Sequence, residues 1–305
     1  LTRGGLLRGH LQNYFDFVIK EINYETIFTR DFIDEVAFPD DRNAVAAVRN
    51  LVTALDRFDL ARVGYDILGP IFERIIPEDR RHIMGQYFTP SLVVDLIVAA
   101  CVRHEKDKVF DPSCGAGTFL VRAYRRKRIW NPRSPHDDLL ATLYGVDIAK
   151  FPAHLAMINL AVADLRAAEN RPKVSVKDFF DVVPGEEFPG DFDAEIGNPP
   201  YTRQEEIDEM AESKKYKAKI GSRTVAAPPW ARGEMKHWAD LGGRTPIYGH
   251  FIVHGVKFLR SDGRFGYVLS DTWLDTDFGN GLRRFLLDRV KIRAIIASSV
   301  ERWFP

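Results

Sequence analysis

The residues Asn-Pro-Pro-Tyr at positions 198–201 combine a side-chain amide, a proline carbonyl and an aromatic ring. Residues 191–196 before them are typical of a strand, and two successive prolines prevent a helix or further sheet pairing. The strand must therefore end here and leave Asn198 and Tyr201 on a stiff loop at its carboxyl end. Open α/β sheets bind ligands at that end of their strands. These groups suit a flat polar ring that carries an amino group, and they suit the planar amide of a glutamine side chain as well.

A second set of candidate residues ends three predicted strands upstream of this loop. Asp111 begins the pattern Asp-x-x-x-Gly-x-Gly, Asp147 ends the next predicted strand, and Asp178 follows the third. Glycines allow a ligand to approach the backbone closely. The pattern is not a dinucleotide fingerprint, because position 120 is leucine where the third glycine would stand. It is not a P-loop either, because no Gly-Lys-Ser/Thr follows.

These three acids predict a pocket for an adenosine-containing cofactor without an anionic tail. Asp147 is placed to accept hydrogen bonds from both hydroxyls of a ribose. Asp178 and Phe179 could bind an adenine amino group and cover its ring. Each acid taken singly could also be a solvated loop carboxylate. Three of them at the ends of three successive strands, beside a glycine turn, favour the pocket.

Two regions of different pattern must position these residues. Residues 1–80 carry apolar side chains at three-to-four spacing, as at 45, 48, 51, 52 and 55, and predict a helical N-terminal region. Residues 81–305 alternate strands with helices, which predicts a doubly wound, mostly parallel α/β sheet covered on both faces. The predicted strands are 109–111, 143–147, 174–176, 192–196, 265–269 and 292–297, and the predicted helices between them are 151–165, 247–259 and 282–290. Thr89 is expected to cap a further helix that reaches residue 100, with Pro90 in its first turn.

A long connection, residues 202–246, separates the fourth predicted strand from the next helix. It is charged early and rich in turns and tryptophan later, with no clear element, and connections of this kind are usually functional or mobile. We interpret it as a lid on the substrate side or a nucleic-acid contact, with disordered surface as the alternative. Its basic residues 214–219 could meet phosphates. The basic cluster at 122–128 is interpreted as solvated surface.

The composition narrows the class of protein. Among 305 residues, 43 Lys and Arg balance 43 Asp and Glu, so any nucleic-acid footprint must be a local patch. Two cysteines imply no disulfide framework, and a cytoplasmic location is expected. No apolar run reaches membrane-spanning length and no signal-peptide pattern is found, so no membrane partner is expected.

Taken in order, the motifs resemble those of S-adenosylmethionine-dependent N6-adenine DNA methyltransferases of the gamma arrangement, the group of type I modification subunits and fused restriction–modification enzymes. Residues 85–90 (GQYFTP) resemble the family's cofactor motif before the first strand, and 111–117 (DPSCGAG) its glycine loop. Residues 145–148 (GVDI) resemble the ribose motif and 177–179 (KDF) the adenine motif. Residues 198–201 resemble the catalytic motif, and 248–251 and 263–274 the later motifs. The resemblance extends from residue 77 to the end.

The resemblance implies a Rossmann-like class I methyltransferase that transfers a methyl group to N6 of a flipped-out adenine in DNA, without a metal. It implies three catalytic residues, Asn198, Pro199 and Tyr201. The base pocket would consist of Pro200, Tyr201 and Phe251, and for Phe251 a place in the core is the alternative. S-adenosylmethionine would be bound by a larger set: Tyr87, Phe88, Thr89, Pro90, Asp111, Pro112, Ser113, Cys114, Gly115, Gly117, Thr118, Phe119, Asp147, Ile148, Asp178, Phe179 and Asn198.

The family usually has another aromatic residue after its sixth strand, and Trp303 and Phe304 stand near that place. The antiparallel seventh strand and a target-recognition domain are not found before Pro305. We therefore expect the chain to be part of a longer methyltransferase domain. The expected partners are double-stranded DNA and a specificity subunit, a nuclease subunit or a fused domain of either kind.

Two other functions remain open at this stage. Asn-Pro-Pro-Tyr also resembles the motif of enzymes that methylate a glutamine amide in release factors, and of some RNA-guanine methyltransferases. The segment 85–90 and the helical N-terminal region favour the DNA enzymes. The third possibility is a cofactor-binding subunit that acts only within a larger assembly.

Overall fold

The computed structural model describes residues 9, 12–17, 20, 41–57, 89–164, 171–201, 213–228 and 238–298. Its helices are α1 (Arg42–Leu55), α2 (Ser91–Cys101), α3 (Thr118–Trp130), α4 (His136–Leu140), α5 (Lys150–Ala161), α6 (Ser213–Val225), α7 (Ile247–Gly255) and α8 (Asn280–Arg289). Its strands are β1 (Val109–Asp111), β2 (Leu143–Asp147), β3 (Lys173–Val176), β4 (Phe192–Gly197) and β5 (Leu259–Tyr267). Short 3₁₀ turns lie at Val162–Asp164, Phe179–Asp181, Val256–Phe258, Asp271–Leu274 and Asp277–Gly279.

The strands form one parallel sheet in the order β3-β2-β1-β4-β5. The chain runs outward from β1 to β3 and then returns to the other side of β1 for β4 and β5. The strand order therefore reverses between β1 and β4, and such a reversal opens a crevice at the carboxyl ends of the strands. Asp111, Asp147 and Asn198 all come to this crevice, because each ends or follows one of the three inner strands.

Apolar side chains cover both faces of the sheet. In β1, Val109 packs in one buried cluster and Phe110 in the other, because neighbouring side chains in a strand point to opposite faces. In β2, Leu143 likewise packs in the first cluster and Tyr144 in the second. A strand buried on both faces reads as a continuous apolar run, which is typical of a parallel sheet with helices on each side.

The predicted α/β class and the doubly wound parallel sheet are confirmed. Strand β2 has the predicted bounds, and β1, β3 and β4 differ from prediction by a residue at most. Strand β5 begins at Leu259, six residues earlier than predicted, and the helix before it ends at Gly255. Helix α1 confirms one helix of the N-terminal pattern. The division at residue 80 stays a prediction, because most of residues 1–80 lie outside the described ranges.

The predicted sixth strand, 292–297, is wrong. Residues 291–298 pair with no strand in the described part of the chain, and Ile292, Ile295 and Ile296 are exposed. An apolar run alone suggested the strand, but a strand also needs a neighbour to satisfy its backbone. The connection 202–246 is corrected as well, because residues 213–225 form helix α6. Trp303 and Phe304 lie outside the described residues.

The basic cluster 122–128 is not simply solvated surface. Lys127 is fully buried, and its Nζ donates to the Asp107 carbonyl and, at 2.5 Å, to Oγ1 of Thr142. Burial lowers the pKa of Lys127 to about 7. Arg126 donates from Nε to the Val102 carbonyl at 2.9 Å. These side chains fasten α3 to the loops around β1, so part of the cluster is structural.

Candidate active site

The glycine turn after β1 depends on two left-handed residues. Gly115 has φ +51° and Gly117 has φ +84°, a region that L side chains rarely adopt. A Cβ on Gly117 would also lie 3.0 Å from Cα of Ala156 in α5, whereas nothing lies within 4 Å of the corresponding position on Gly115. Gly117 therefore permits close packing of helices, and Gly115 leaves open space above the turn.

Asp147 joins β2 to this turn. Its Oδ2 accepts from the Gly115 backbone N–H at 2.9 Å and its Oδ1 from the Ala149 N–H at 2.8 Å. Burial raises the pKa of Asp147, and these two backbone donors oppose the rise. Asp147 is partly exposed, and Ile148 beside it has a side chain that is 68% exposed. The roles expected of Asp147 and Ile148 in cofactor binding stay predictions.

Asp111 lies beneath the turn instead of at its surface. It is 1% exposed, and its Oδ1 accepts from the Ser113 backbone N–H at 3.1 Å. Burial raises the pKa of Asp111 well above its ordinary value. Its other oxygen, Oδ2, has no hydrogen-bond partner among the described residues. A Cβ on Gly197 would meet Asp111 Oδ1 at 2.7 Å, so the glycine before Asn198 allows β4 to lie close to this acid.

Asp178 stands at the third strand end, as predicted, and Phe179 turns into the core. Asp178 Oδ1 caps the following 3₁₀ turn by accepting from the Phe180 N–H at 3.0 Å. Its Oδ2 lies 2.6 Å from Nζ of Lys219 in α6. The Phe179 ring is 2% exposed and packs 5.0 Å from the ring of Phe251, centroid to centroid. The ring of Phe179 is therefore part of the core and is not exposed to cover an adenine ring, as had been expected.

Side chains from three segments orient Asn198. Its Nδ2 donates to Oγ1 of Thr89 at 3.1 Å. The hydroxyl of Tyr201 donates to Asn198 Oδ1 at 2.6 Å and also reaches the Val268 carbonyl at 3.0 Å. Burial raises the pKa of Tyr201, so its hydroxyl stays protonated and acts as the donor. The backbone carbonyl of Asn198 accepts from Ser113 Oγ at 3.2 Å, which ties the loop to the glycine turn.

The expected capping role of Thr89 is wrong. Helix α2 begins at Ser91, the cap position is Pro90, and no side chain caps the helix. Thr89 is 6% exposed and bonds to Asn198 instead. The two residues are 109 positions apart, so only the fold brings them together. Tyr87 and Phe88 lie outside the described residues.

The aromatic neighbour of Tyr201 is Tyr248, not Phe251. The rings of Tyr201 and Tyr248 lie 6.2 Å apart at 62°, and the Tyr248 hydroxyl lies 3.3 Å from Oγ1 of Thr272. Phe251 is 6% exposed and packs against Phe179 and Phe180, so the core alternative holds and the pocket-wall role is wrong. Tyr248 is itself only 2% exposed, so it supports the ring of Tyr201 from within the core. Tyr248 and Phe251 are three residues apart and lie on neighbouring parts of α7, so the sequence alone did not show which of them contacts Tyr201.

A buried acid below the loop was also missed. Glu195 in β4 is fully buried, and its Oε1 accepts from the Tyr267 hydroxyl in β5. Burial raises the pKa of Glu195 to about 8, and the nearby charge of Asp111 adds to the rise. A Cβ on Gly255 would overlap Glu195 Oε1, so any other residue there would displace the carboxylate.

The remaining predicted residues differ in burial, and their roles in the site stay predictions. Pro112, Cys114, Phe119 and Pro199 are buried, and Ser113, Thr118 and Pro200 are partly exposed. Burial raises the pKa of the Cys114 thiol well above its ordinary value, which argues against a nucleophilic role. No cluster of three His, Cys, Asp or Glu side chains suited to a metal occurs in the described ranges. Likewise, none of the helices described is both long and apolar enough to cross a membrane.

Comparisons with known proteins find one family model and a set of relatives. The family model described as N-6 DNA Methylase matches residues 63–301, which is more than half of the chain. The type II methyltransferase M.BstVI of Geobacillus stearothermophilus is 26% identical over 232 residues, covering 70% of this chain and 38% of that protein. The MjaIX methylase subunit, a type I restriction enzyme subunit of Methanocaldococcus jannaschii, is 25% identical over 240 residues, covering 76% and 38%.

Among solved structures, the type IIL restriction-modification enzyme MmeI in complex with DNA shares the fold, with a TM-score of 0.65 and 16% identity. The match covers 94% of this chain and 45% of MmeI. This chain thus spans well under two thirds of the length of the relatives and the structure that it matches.

Proposed function

The chain belongs to the N-6 DNA methylase family, and on that premise we propose that it transfers a methyl group from S-adenosylmethionine to the N6 amino group of adenine in DNA. One observation carries the proposal. The Asn198 amide stands at the carboxyl end of β4, held by Thr89 on one side and Tyr201 on the other, and its backbone is tied to the cofactor-type glycine turn through Ser113.

The side-chain oxygen of Asn198 is suited to the acceptor role. The Tyr201 hydroxyl donates to this oxygen, and an amide oxygen can accept two hydrogen bonds. The Asn198 oxygen can therefore accept one N–H of an adenine amino group, and the Pro199 carbonyl can accept the other. The lone pair of N6 is delocalised into the ring, so two acceptors that favour a tetrahedral nitrogen increase its nucleophilicity. Fixed dipoles directed at developing charge are commonly the largest catalytic contribution.

The cofactor half has residues that fit an adenosine-containing group. When bound, S-adenosylmethionine supplies an electrophilic methyl group on a sulfonium centre. Asp147 would hold the ribose, the open space over Gly115 would admit the cofactor against the backbone, and Ile148 would contact its base. Asp178 would accept from the adenine amino group. The link from Ser113 to Asn198 would then fix the distance between methyl donor and acceptor, and alignment of this kind accounts for much of catalysis in group transfer.

The target base must leave the duplex to reach Asn198. Tyr201 is partly exposed and offers its ring to a flipped base, with Tyr248 beside it. Stacking on an aromatic side chain stabilises a base by roughly 1–3 kcal/mol. The neutral net charge of the chain supplies no general attraction to DNA. We therefore propose double-stranded DNA as the substrate and a specificity or nuclease subunit, or a fused domain, as the part that supplies recognition.

Parallel acceptor assays test the proposed function. The full-length protein is incubated with labelled S-adenosylmethionine and, separately, with duplex DNA of mixed sequence, structured RNA and a release factor. Incorporation into DNA alone is expected. Methylation of the release factor or of RNA, with no label in DNA, would contradict the proposal. Cofactor binding by the complete assembly without methyl transfer to any of these acceptors would contradict it as well.

A further inference from the structure

Helix α6 belongs to the connection that follows Tyr201, yet it is fastened to the adenine motif on the cofactor side. Ile220 is 4% exposed and packs in the same buried cluster as Phe179 and Phe180. Thr224 Oγ1 lies 2.9 Å from Nδ1 of His250 in α7. Residues 213–225 of this connection therefore form a docked helix, and one face of the helix is turned towards the 3₁₀ turn Phe179–Asp181.

Lys219 is the charged group on that face. Its Nζ lies 2.6 Å from Asp178 Oδ2 and 3.1 Å from Asp181 Oδ2, and it also lies 5.0 Å from the ring centroid of Tyr216. The Asp178 side chain is only 12% exposed, whereas that of Lys219 is 31% exposed, so Asp178 is the shielded member of this ion pair. Tyr216 also packs against the buried cluster that contains Phe179 and Phe180. Burial, followed by the charge of Asp178, raises the pKa of the Tyr216 hydroxyl.

Asp178 is consequently held at both of its oxygens. The Phe180 N–H fixes Oδ1 and Lys219 fixes Oδ2, so rotation of the carboxylate is restricted. The ion pair requires the ionised form of Asp178, and an ionised carboxylate only accepts hydrogen bonds while retaining room for further donors. Such a group binds a 6-amino substituent on a purine, which donates, and disfavours a 6-oxo substituent, which accepts.

We propose that Lys219 is a positioning residue that holds the Asp178 carboxylate as a fixed acceptor and thereby makes the cofactor pocket selective for a 6-aminopurine over a 6-oxopurine. The inference rests on the proposed function, because it takes the cofactor to be an adenosine derivative. This proposal gives α6 a role in cofactor binding, although the connection that contains α6 starts directly after Tyr201, which is proposed to contact the target base. Lys219 itself touches Asp178 and not the reacting atoms.

Calorimetry with two ligands tests this role. The full-length protein is titrated with S-adenosylhomocysteine and with S-inosylhomocysteine, which differ only in an amino or oxo group at purine position 6. Lys219→Met is expected to raise the Kd for the adenosine ligand by roughly three- to tenfold, as for a partly buried ion pair. The Kd for the inosine ligand is expected to change less than about twofold, because that ligand does not use the oriented acceptor.

Three further variants separate positioning from a structural role. Lys219→Arg keeps the charge and should restore most of the selectivity, and Lys215→Met removes an exposed lysine of the same helix and should change neither Kd. In an Asp178→Asn background, Lys219→Met should have no further effect on the ratio of the two Kd values. If Lys219→Met raises the Kd of both ligands equally, or changes neither, the inference about Lys219 is wrong while the proposed function stands. If the wild type binds neither ligand, the proposed function fails and the inference fails with it.

Discussion

The proposed cofactor half of the site, around Asp111 and Asp147, and the proposed target half, around Asn198, are held by different kinds of contact. In the cofactor half, carboxylates accept hydrogen bonds from backbone N–H groups. Asp111 and Asp147 each accept one from the residue two positions later in the chain. In the target half, side chains bond to partners that are distant in sequence, as Asn198 does to Thr89 and Tyr201 to Val268. The first half depends on the shape of one turn, whereas the second depends on the packing of the whole domain.

This difference predicts that the halves respond separately to substitution. A change in the glycine turn should reduce stability and cofactor binding together. A change in the Asn198 contacts should reduce the rate of transfer with little effect on cofactor affinity. Glu195 lies where the halves meet, because Tyr267 bonds to it from the target side and Asp111 raises its pKa from the cofactor side.

The largest effect is expected at Glu195, as a function of pH. Burial raises the folded-state pKa of Glu195 to about 8 from the ordinary value of 4.5. Between about pH 5 and pH 8 the folded protein retains a proton that the unfolded chain has released, so stability falls as pH rises. We expect Glu195 to account for on the order of 3 kcal/mol of that loss. Urea unfolding at several pH values should give a shallower slope for Glu195→Gln than for the wild type.

The matched control is Glu186→Gln, at an exposed glutamate in a turn, which should keep the wild-type slope. Asp111 and Asp147 contribute to the slope in every variant, so only the difference between the two glutamates is informative. If both variants show the same dependence of unfolding free energy on pH, Glu195 does not have the raised pKa that its buried position between the two halves predicts.

The next effect is expected in the glycine turn. Gly117→Ala should lower the free energy of unfolding by about 2–3 kcal/mol, from an unfavourable φ and from contact with the Ala156 backbone. Gly115→Ala, with a similar φ and open space around its Cβ, should cost only about 1 kcal/mol. Denaturant unfolding of the two variants measures the difference. If both variants lose a similar free energy of unfolding, the close packing of α3 against α5 at Gly117 does not contribute to stability as described.

The smallest of the three effects is expected at Thr89. Thr89→Val keeps the shape and removes the acceptor for Asn198 Nδ2, which should lower kcat by roughly three- to tenfold, as for one lost hydrogen bond of about 1 kcal/mol. The Kd for S-adenosylmethionine should stay nearly constant. Single-turnover rates and calorimetry separate the two quantities, and Thr89→Ser should retain the rate. A raised Kd with unchanged kcat would instead place Thr89 in the cofactor half, as the sequence motif suggested.

The same contrast explains what could be predicted from the sequence. The glycine turn, Asp147 and Asp178 were recognisable because short motifs encode turns and strand ends. The sheet followed from alternating patterns, since β2 lies where its apolar run predicts. The partner of Thr89, the place of Tyr248, the buried Glu195 and the docking of α6 depend on long-range packing. No local pattern carries that information, and for the same reason the apolar run at 292–297 wrongly predicted a strand.

The identity of the methylated atom tests the central claim most directly. DNA methylated by the full-length protein with labelled cofactor is digested to nucleosides, and the labelled product is identified for the wild type and for Asn198→Ala. We predict N6-methyladenine as the product, with a transfer rate lower by roughly 10²–10³-fold in the variant and a cofactor Kd within about threefold of wild type. A label on another base, or full activity of Asn198→Ala, would contradict the account.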